Sequence, residues 1–194
     1  MRLVSRTLSV LALAGAALLV VAAVSGANGV KSGKTKFKPD PDTFEALADM
    51  SIAVDTTGKA EFKPNGAKFP VSGGDIDPTN GFLGVYGHKG GLMFSRSDGA
   101  SVKFRYLVIQ IQPNNNGRLF ASTDDPTDPL KLAKLEGVKV GGTDTSFEFK
   151  NADALLAKEG AEVLSDTFDF DFHKGIPLGT ITTKATITRG QVEE

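Results

Sequence analysis

Apolar and polar positions alternate most clearly between Ser101 and Gln112. Val102, Phe104, Tyr106 and Val108 alternate with Lys103 and Arg105, and then Leu107, Ile109 and Ile111 alternate with Gln110 and Gln112. A strand sends successive side chains to opposite faces. The change of parity near Tyr106–Val108 therefore predicts a bulge, or a stretch covered on both sides, in a strand crossing the centre of a sandwich. Shorter strand-like runs surround it at 51–55, 61–62, 68–71, 82–86, 92–95, 118–121 and 146–150, with a closing strand over 178–188. Asp98-Gly99 marks a hairpin turn before the long strand. Ser72-Gly73-Gly74 with Asp77-Pro78 reads as a cluster of turn residues, Ser72 included. Residues 130–140 are ambiguous between helix and strand. One segment reads as helical: Asn151 as N-cap, with Ala152, Leu155, Leu156, Val163 and Leu164 on one face and Gly160 inside it. Phe168, Phe170 and Phe172 alternate with Asp169 and Asp171, which predicts a strand burying three aromatic rings. Eight to ten short strands with a single helix predict an antiparallel β-sandwich or barrel-like domain, and exclude alternating βαβ units.

The N-terminus has a different pattern. Arg2 and Arg6 precede an apolar run from Leu8 to Val24, which ends in Ser25-Gly26-Ala27. A basic start, an apolar core and small residues at the exit are the parts of a signal peptide, and they place cleavage after Ala27. A retained membrane anchor is the alternative, because the run approaches the length of a bilayer span. Residues 28–42 combine Lys31, Lys34, Lys36 and Lys38 with glycines and prolines, and only Val30 and Phe37 are large and apolar. They read as a flexible linker ahead of a domain spanning 43–190.

Composition narrows the function classes. The chain has 22 basic and 23 acidic residues; removing Arg2 and Arg6 with the leader gives 20 against 23, a net charge of −3. That balance carries no footprint for nucleic acid. There is no cysteine, so an exported domain must hold its core without disulfides, and lipid attachment through an N-terminal cysteine is excluded. With neither a cysteine nor a G-x-S-x-G elbow, nothing motivates nucleophilic catalysis. The two histidines, His88 and His173, could join Asp169 or Asp171 in a metal site only if the fold brought them together. Asp124 and Asp125 sit in a Pro-bounded turn without the regular spacing of a calcium loop.

Three segments together resemble a family. They are Phe69-Pro70-Val71-Ser72-Gly73-Gly74-Asp75-Ile76-Asp77-Pro78, then Gly87-His88-Lys89-Gly90-Gly91-Leu92-Met93-Phe94, then the long strand. They look like the HtaA-type domain of actinobacterial secreted haem-uptake and cell-surface proteins, in which a strand pair carries a G-H-x-G-x-L-type element. Leu155 to Ala161 followed by Gly175-Ile176-Pro177-Leu178-Gly179 is similar to the family's ending. The likeness covers roughly residues 60–188 and implies an exported β-sandwich with a small helix. Haem-binding members use a tyrosine ligand early in the domain, in a Trp-containing motif, supported by a histidine. This chain has no Trp and only Tyr86 and Tyr106 as tyrosines. Tyr86 and His88, two residues apart, would share one face of a strand, so they are the candidate cofactor residues. The sequence reading is thus a secreted or cell-surface, non-enzymatic, HtaA-like module for an unknown ligand or cell-surface partner. Haem or metal binding through Tyr86 and His88 is the alternative, and a hydrolase with no visible site the third reading. Contact with a membrane would come only through an uncleaved signal peptide.

Overall fold

A computed structural model describes residues 28–63, 65–123 and 125–188; the expected signal peptide over 1–27 lies outside them. Twelve antiparallel strands are present: β1 (Asn28–Pro39), β2 (Ile52–Thr57), β3 (Glu61–Lys63), β4 (Gly66–Asp77), β5 (Leu83–His88), β6 (Gly91–Arg96), β7 (Ser101–Gln112), β8 (Asn116–Ser122), β9 (Leu130–Glu136), β10 (Lys139–Thr143), β11 (Ser146–Leu156) and β12 (Pro177–Thr188). Helix α1 (Pro41–Asp49) follows β1 and helix α2 (Lys158–Phe168) precedes β12. Eight strands pair in the order β7-β5-β4-β1-β12-β11-β9-β8, and β8 pairs back with β7. The sheet is therefore a closed barrel, which removes the exposed edges an open sandwich would leave. β6 and β2 extend from the first half of β7, β3 adds to β4, and β10 adds to β11.

The parity change in β7 is where the strand changes partners. Ser101–Phe104 pairs with β6, and Val108–Ile111 pairs with β5 and β8. Between them the register shifts from Arg105 to Val108, and Tyr106 takes φ 52° and points outward. One bulge thus lets a single strand serve both the β6–β2 extension and the barrel.

Residues 28–39 are not a linker. They form β1, a barrel strand held between β4 and β12. Exposed Lys34, Lys36 and Lys38 alternate with buried Thr35 and Phe37, so the lysines are the outer face of a strand whose inner face is partly hydroxyl. The barrel domain therefore includes these residues and does not begin at 43. Asp40 then caps α1 by accepting from the Thr43 N–H at 3.0 Å, with Pro41 at the first helical position. Phe44 of α1 packs on Phe37, ring centroids 6.2 Å apart.

The segment after Phe147 also differs from expectation. Asn151 is a bulge residue at φ 45°, bonded to Thr182, and β11 runs on through buried Ala152, Ala154 and Leu156. Helix α2 begins only at Lys158, and Phe168 closes it; Phe170 is exposed in the following loop, so the three phenylalanines share no strand face. Gly160 costs helix propensity but lies against β9, where a Cβ would come within 2.8 Å of the Leu132 carbonyl. The expected turn at Ser72-Gly73-Gly74 is instead part of β4, with both glycines at positive φ, whereas Asp77-Pro78 does turn, Asp77 capping a 3-10 turn over Pro78–Asn80. Among the described residues no helix is long and apolar enough to cross a membrane.

Candidate functional site

Tyr86 and His88 stand two positions apart on β5 and both point into the barrel. Gly74 on β4 faces Tyr86, and any side chain there would collide with the β5 backbone at Val85 and Tyr86. The glycine at this position, φ 151°, is thus what lets β5 approach closely enough to bury the tyrosine. Across the interior, Thr35 of β1 and Thr183 of β12 are register partners, and both are buried. The ring centroids of Tyr86 and His88 are 5.4 Å apart, and Phe147 packs edge-on against Tyr86 at 5.2 Å.

Four side chains form one hydrogen-bonded line. Tyr86 Oη lies 2.9 Å from Thr183 Oγ1, Thr183 Oγ1 lies 2.7 Å from Thr35 Oγ1, and Thr35 Oγ1 lies 2.6 Å from His88 Nε2. His88 Nδ1 is 3.0 Å from the Leu107 carbonyl oxygen. A carbonyl can only accept, so Nδ1 carries the proton and neutral His88 accepts at Nε2. Thr35 must then donate to His88, Thr183 to Thr35, and Tyr86 to Thr183. Every proton in the line has one acceptor. Burial lowers the His88 pKa to about 4, against a smaller opposing effect of the Leu107 carbonyl. Burial also pushes the Tyr86 phenol far above its ordinary value, only partly offset by Thr183. The neutral forms are therefore the stable ones.

The space beside this line is small. His88, Thr35, Phe37, Phe69, Leu107 and Ile181 contribute to a cavity of about 30 Å³, whereas sites for cofactor-sized ligands run to roughly 300–1,000 Å³. The structure brings Tyr86 and His88 together, but it commits both to other side chains in a space that a haem does not fit. The remaining candidates stay apart: His173 is exposed with its Nδ1 3.3 Å from its neighbour's carbonyl, while Asp169 and Asp171 are exposed loop residues. Among the described residues no three His, Asp or Glu side chains converge to hold a metal ion. Asp125 bonds Thr127 within its own turn; Asp124 lies outside the described residues.

The large concavity lies outside the barrel. A groove of about 990 Å³ runs over β10, β11, β12, β1 and the start of β4. The strand register explains its chemistry. One row across the sheet reads Lys139 opposite Lys150, whose bulge faces Thr182, then Lys36, then Lys68. The next row reads Gly141, Glu148, Lys184 and Lys34. Glu148 is the acidic residue in the lining and bonds both Lys150 and Lys184, each at 2.8 Å. Those two lysines hold its carboxyl below the usual range, Lys150 first. Lys34, Lys36, Lys68 and Lys139 have no salt bridge among the described residues. Glu61, at the rim on β3, is paired with Lys63 at 2.9 Å and is only secondarily drawn down by Lys68 and Lys34. Sequence reasoning missed this face because its lysines come from five segments, the farthest being 150 residues apart in the chain.

No known family profile matches the sequence, and no curated protein matches it. Solved structures do match. The C-terminal domain of HtaA from Corynebacterium glutamicum superimposes with a TM-score of 0.66 over 83% of this chain and 99% of that one, at 16% identity. The N-terminal domain of the same protein gives 0.59 over 82% and 98%, at 11% identity. A domain-swapped dimer of a histidine-to-alanine variant of the C-terminal domain gives 0.56 over 76% and 92%, at 19% identity. Both matched domains share this fold: this chain has an HtaA-like domain fold.

Proposed function

We propose that this chain is a non-enzymatic binding module, exported to the cell surface or beyond it, that takes its ligand in the outer groove. The observation that carries this reading is the closed interior line of Tyr86, Thr183, Thr35 and His88. Perturbed titrating groups mark functional sites when they face a cleft, but here burial alone accounts for the shifts and each polar atom is already bonded. The interior is core, and the unspent polar groups are outside. The leader-like residues 1–27 support export.

Haem on Tyr86 and His88 is the competing reading, and the HtaA fold together with the 5.4 Å approach of the two rings gives it its interest. A haem titration of the wild type and of Tyr86→Phe separates the two. The expected result is no Soret change that depends on Tyr86. A shifted Soret band in the wild type that disappears in Tyr86→Phe would overturn the proposal.

A further inference from the structure

The outer groove places like charges opposite one another on neighbouring strands. Residues directly opposite on neighbouring strands have Cβ atoms roughly 5 Å apart, and like charges in that position repel. Three such pairs lie on this one face: Lys36 with Lys68, Lys34 with Lys184, and Lys139 with Lys150. Glu148 offsets Lys150 and Lys184, and Glu61 of β3 stands opposite Lys68, which leaves Lys34, Lys36 and Lys139 without a salt bridge among the described residues. Six of the chain's 22 basic residues line this groove against one acidic residue, in a chain whose net charge is −1.

We infer that this groove is a binding site for a linear chain of repeating phosphates, laid across the strands. Strands are spaced about 4.8 Å apart, so a chain crossing them along the first row meets Lys139, Lys150, Lys36 and Lys68 at four of five strands, with the Thr182 hydroxyl at the fifth. The second row puts Lys184 and Lys34 alongside. The cations are all lysines. A lysine ammonium is a compact charge that takes a tetrahedral oxyanion from any direction, whereas a planar carboxylate is best gripped by the arginine fork. The groove presents no exposed aromatic ring, since its one phenylalanine, Phe147, is 2% exposed. Stacked bases would need such a ring, so a single-stranded nucleic acid is disfavoured. The site is concave, so the flat surface of a bilayer does not reach its floor. The floor itself includes Gly141, where a Cβ would meet nothing within 4 Å, which leaves room for the chain to approach the backbone there.

This inference rests on the outer groove being the binding face, and the test separates the two. Residues 28–194 are titrated at low salt with inorganic polyphosphate, with orthophosphate at equal phosphate concentration, with alginate, and with vesicles of phosphatidylglycerol. Polyphosphate should bind and raise Tm, the other three should bind at least about tenfold more weakly, and affinity should fall steeply with added salt because phosphate contacts release counterions. Lys34→Gln combined with Lys36→Gln should weaken polyphosphate binding about tenfold or more while leaving the ligand-free Tm equal or higher, a combination that simple misfolding would not give. Lys103→Gln, on β7 away from the groove, should bind as the wild type does. Absence of polyphosphate binding, equal binding by the double variant, or equal binding of alginate or vesicles would overturn the phosphate inference. A Tyr86-dependent Soret shift would instead overturn the reading beneath it.

Discussion

The two faces of β1 and β12 use adjacent residues for opposite purposes. Thr35 and Thr183 face inward and meet at 2.7 Å within a line where every donor has an acceptor. Lys34, Lys36 and Lys184, one position away, face outward into a lysine-rich groove, where Glu148 bonds only Lys184 of the three. The period of two makes this possible, because a strand needs only alternate residues for its core. Buried polar groups are tolerated when fully paired, and so the inner face specifies the barrel. On the outer face the charges are incompletely paired, which is affordable in water and useful for a ligand.

The largest expected effect acts on the inner face through pH. His88 has a folded pKa of about 4 against an ordinary value of 6.5, so the unfolded chain binds its proton first as pH falls. The neutral histidine's contribution is complete above pH 6.5 and is lost progressively as pH falls through 4. A shift of that size corresponds to about 3 kcal/mol. Urea unfolding at pH 7 and pH 4.5 should show the loss in the wild type and a visibly shallower pH dependence in His88→Gln; parallel slopes would show that His88 titrates normally.

Thr183→Val should come next. It keeps the shape but leaves the buried Tyr86 hydroxyl without its acceptor, at a cost of about 2 kcal/mol in the free energy of urea unfolding. Adding Tyr86→Phe removes the stranded donor, so the double variant should be no less stable than Thr183→Val alone. A strictly additive cycle would mean that the two hydroxyls are not coupled.

The smallest effect has the opposite sign and belongs to the outer face. Lys34→Gln removes one member of a like-charged pair and should stabilise the ligand-free protein by about 0.5 kcal/mol at low salt. At high salt, where the Debye length shrinks to a few ångströms, the gain should vanish. A destabilised Lys34→Gln at low salt would show that the outer lysines are not in conflict.

These two faces were not equally legible in the sequence. The parity change in Ser101–Gln112 gave both the bulge and the strand bounds, because large apolar residues mark the inner positions. β1 was hidden because its inward residues include Gly33 and Thr35, and its outward lysines resemble a solvated tether. Asp40-Pro41 carried a helix-start signal that composition obscured. Asn151 has the chemistry of an N-cap and equally that of a left-handed bulge residue, and the alternation of Ala152, Ala154 and Leu156 was the clue that separated them. The shared face of Tyr86 and His88 followed from spacing alone. Their threonine partners did not, since Thr35 and Thr183 are 148 residues apart and threonine is common in any strand. The lysine rows likewise exist only once register is known.

The account depends most on the protonation of the interior line, and the ring nitrogens of His88 report it directly. A long-range proton–nitrogen NMR spectrum of the imidazoles, followed from pH 7.5 to 4.5 with and without haem, should show His88 as the neutral Nδ1–H tautomer, unchanged by haem and still neutral at pH 5. A His88 resonance that titrates near pH 6.5, carries its proton on Nε2, or moves on addition of haem would contradict the sealed interior.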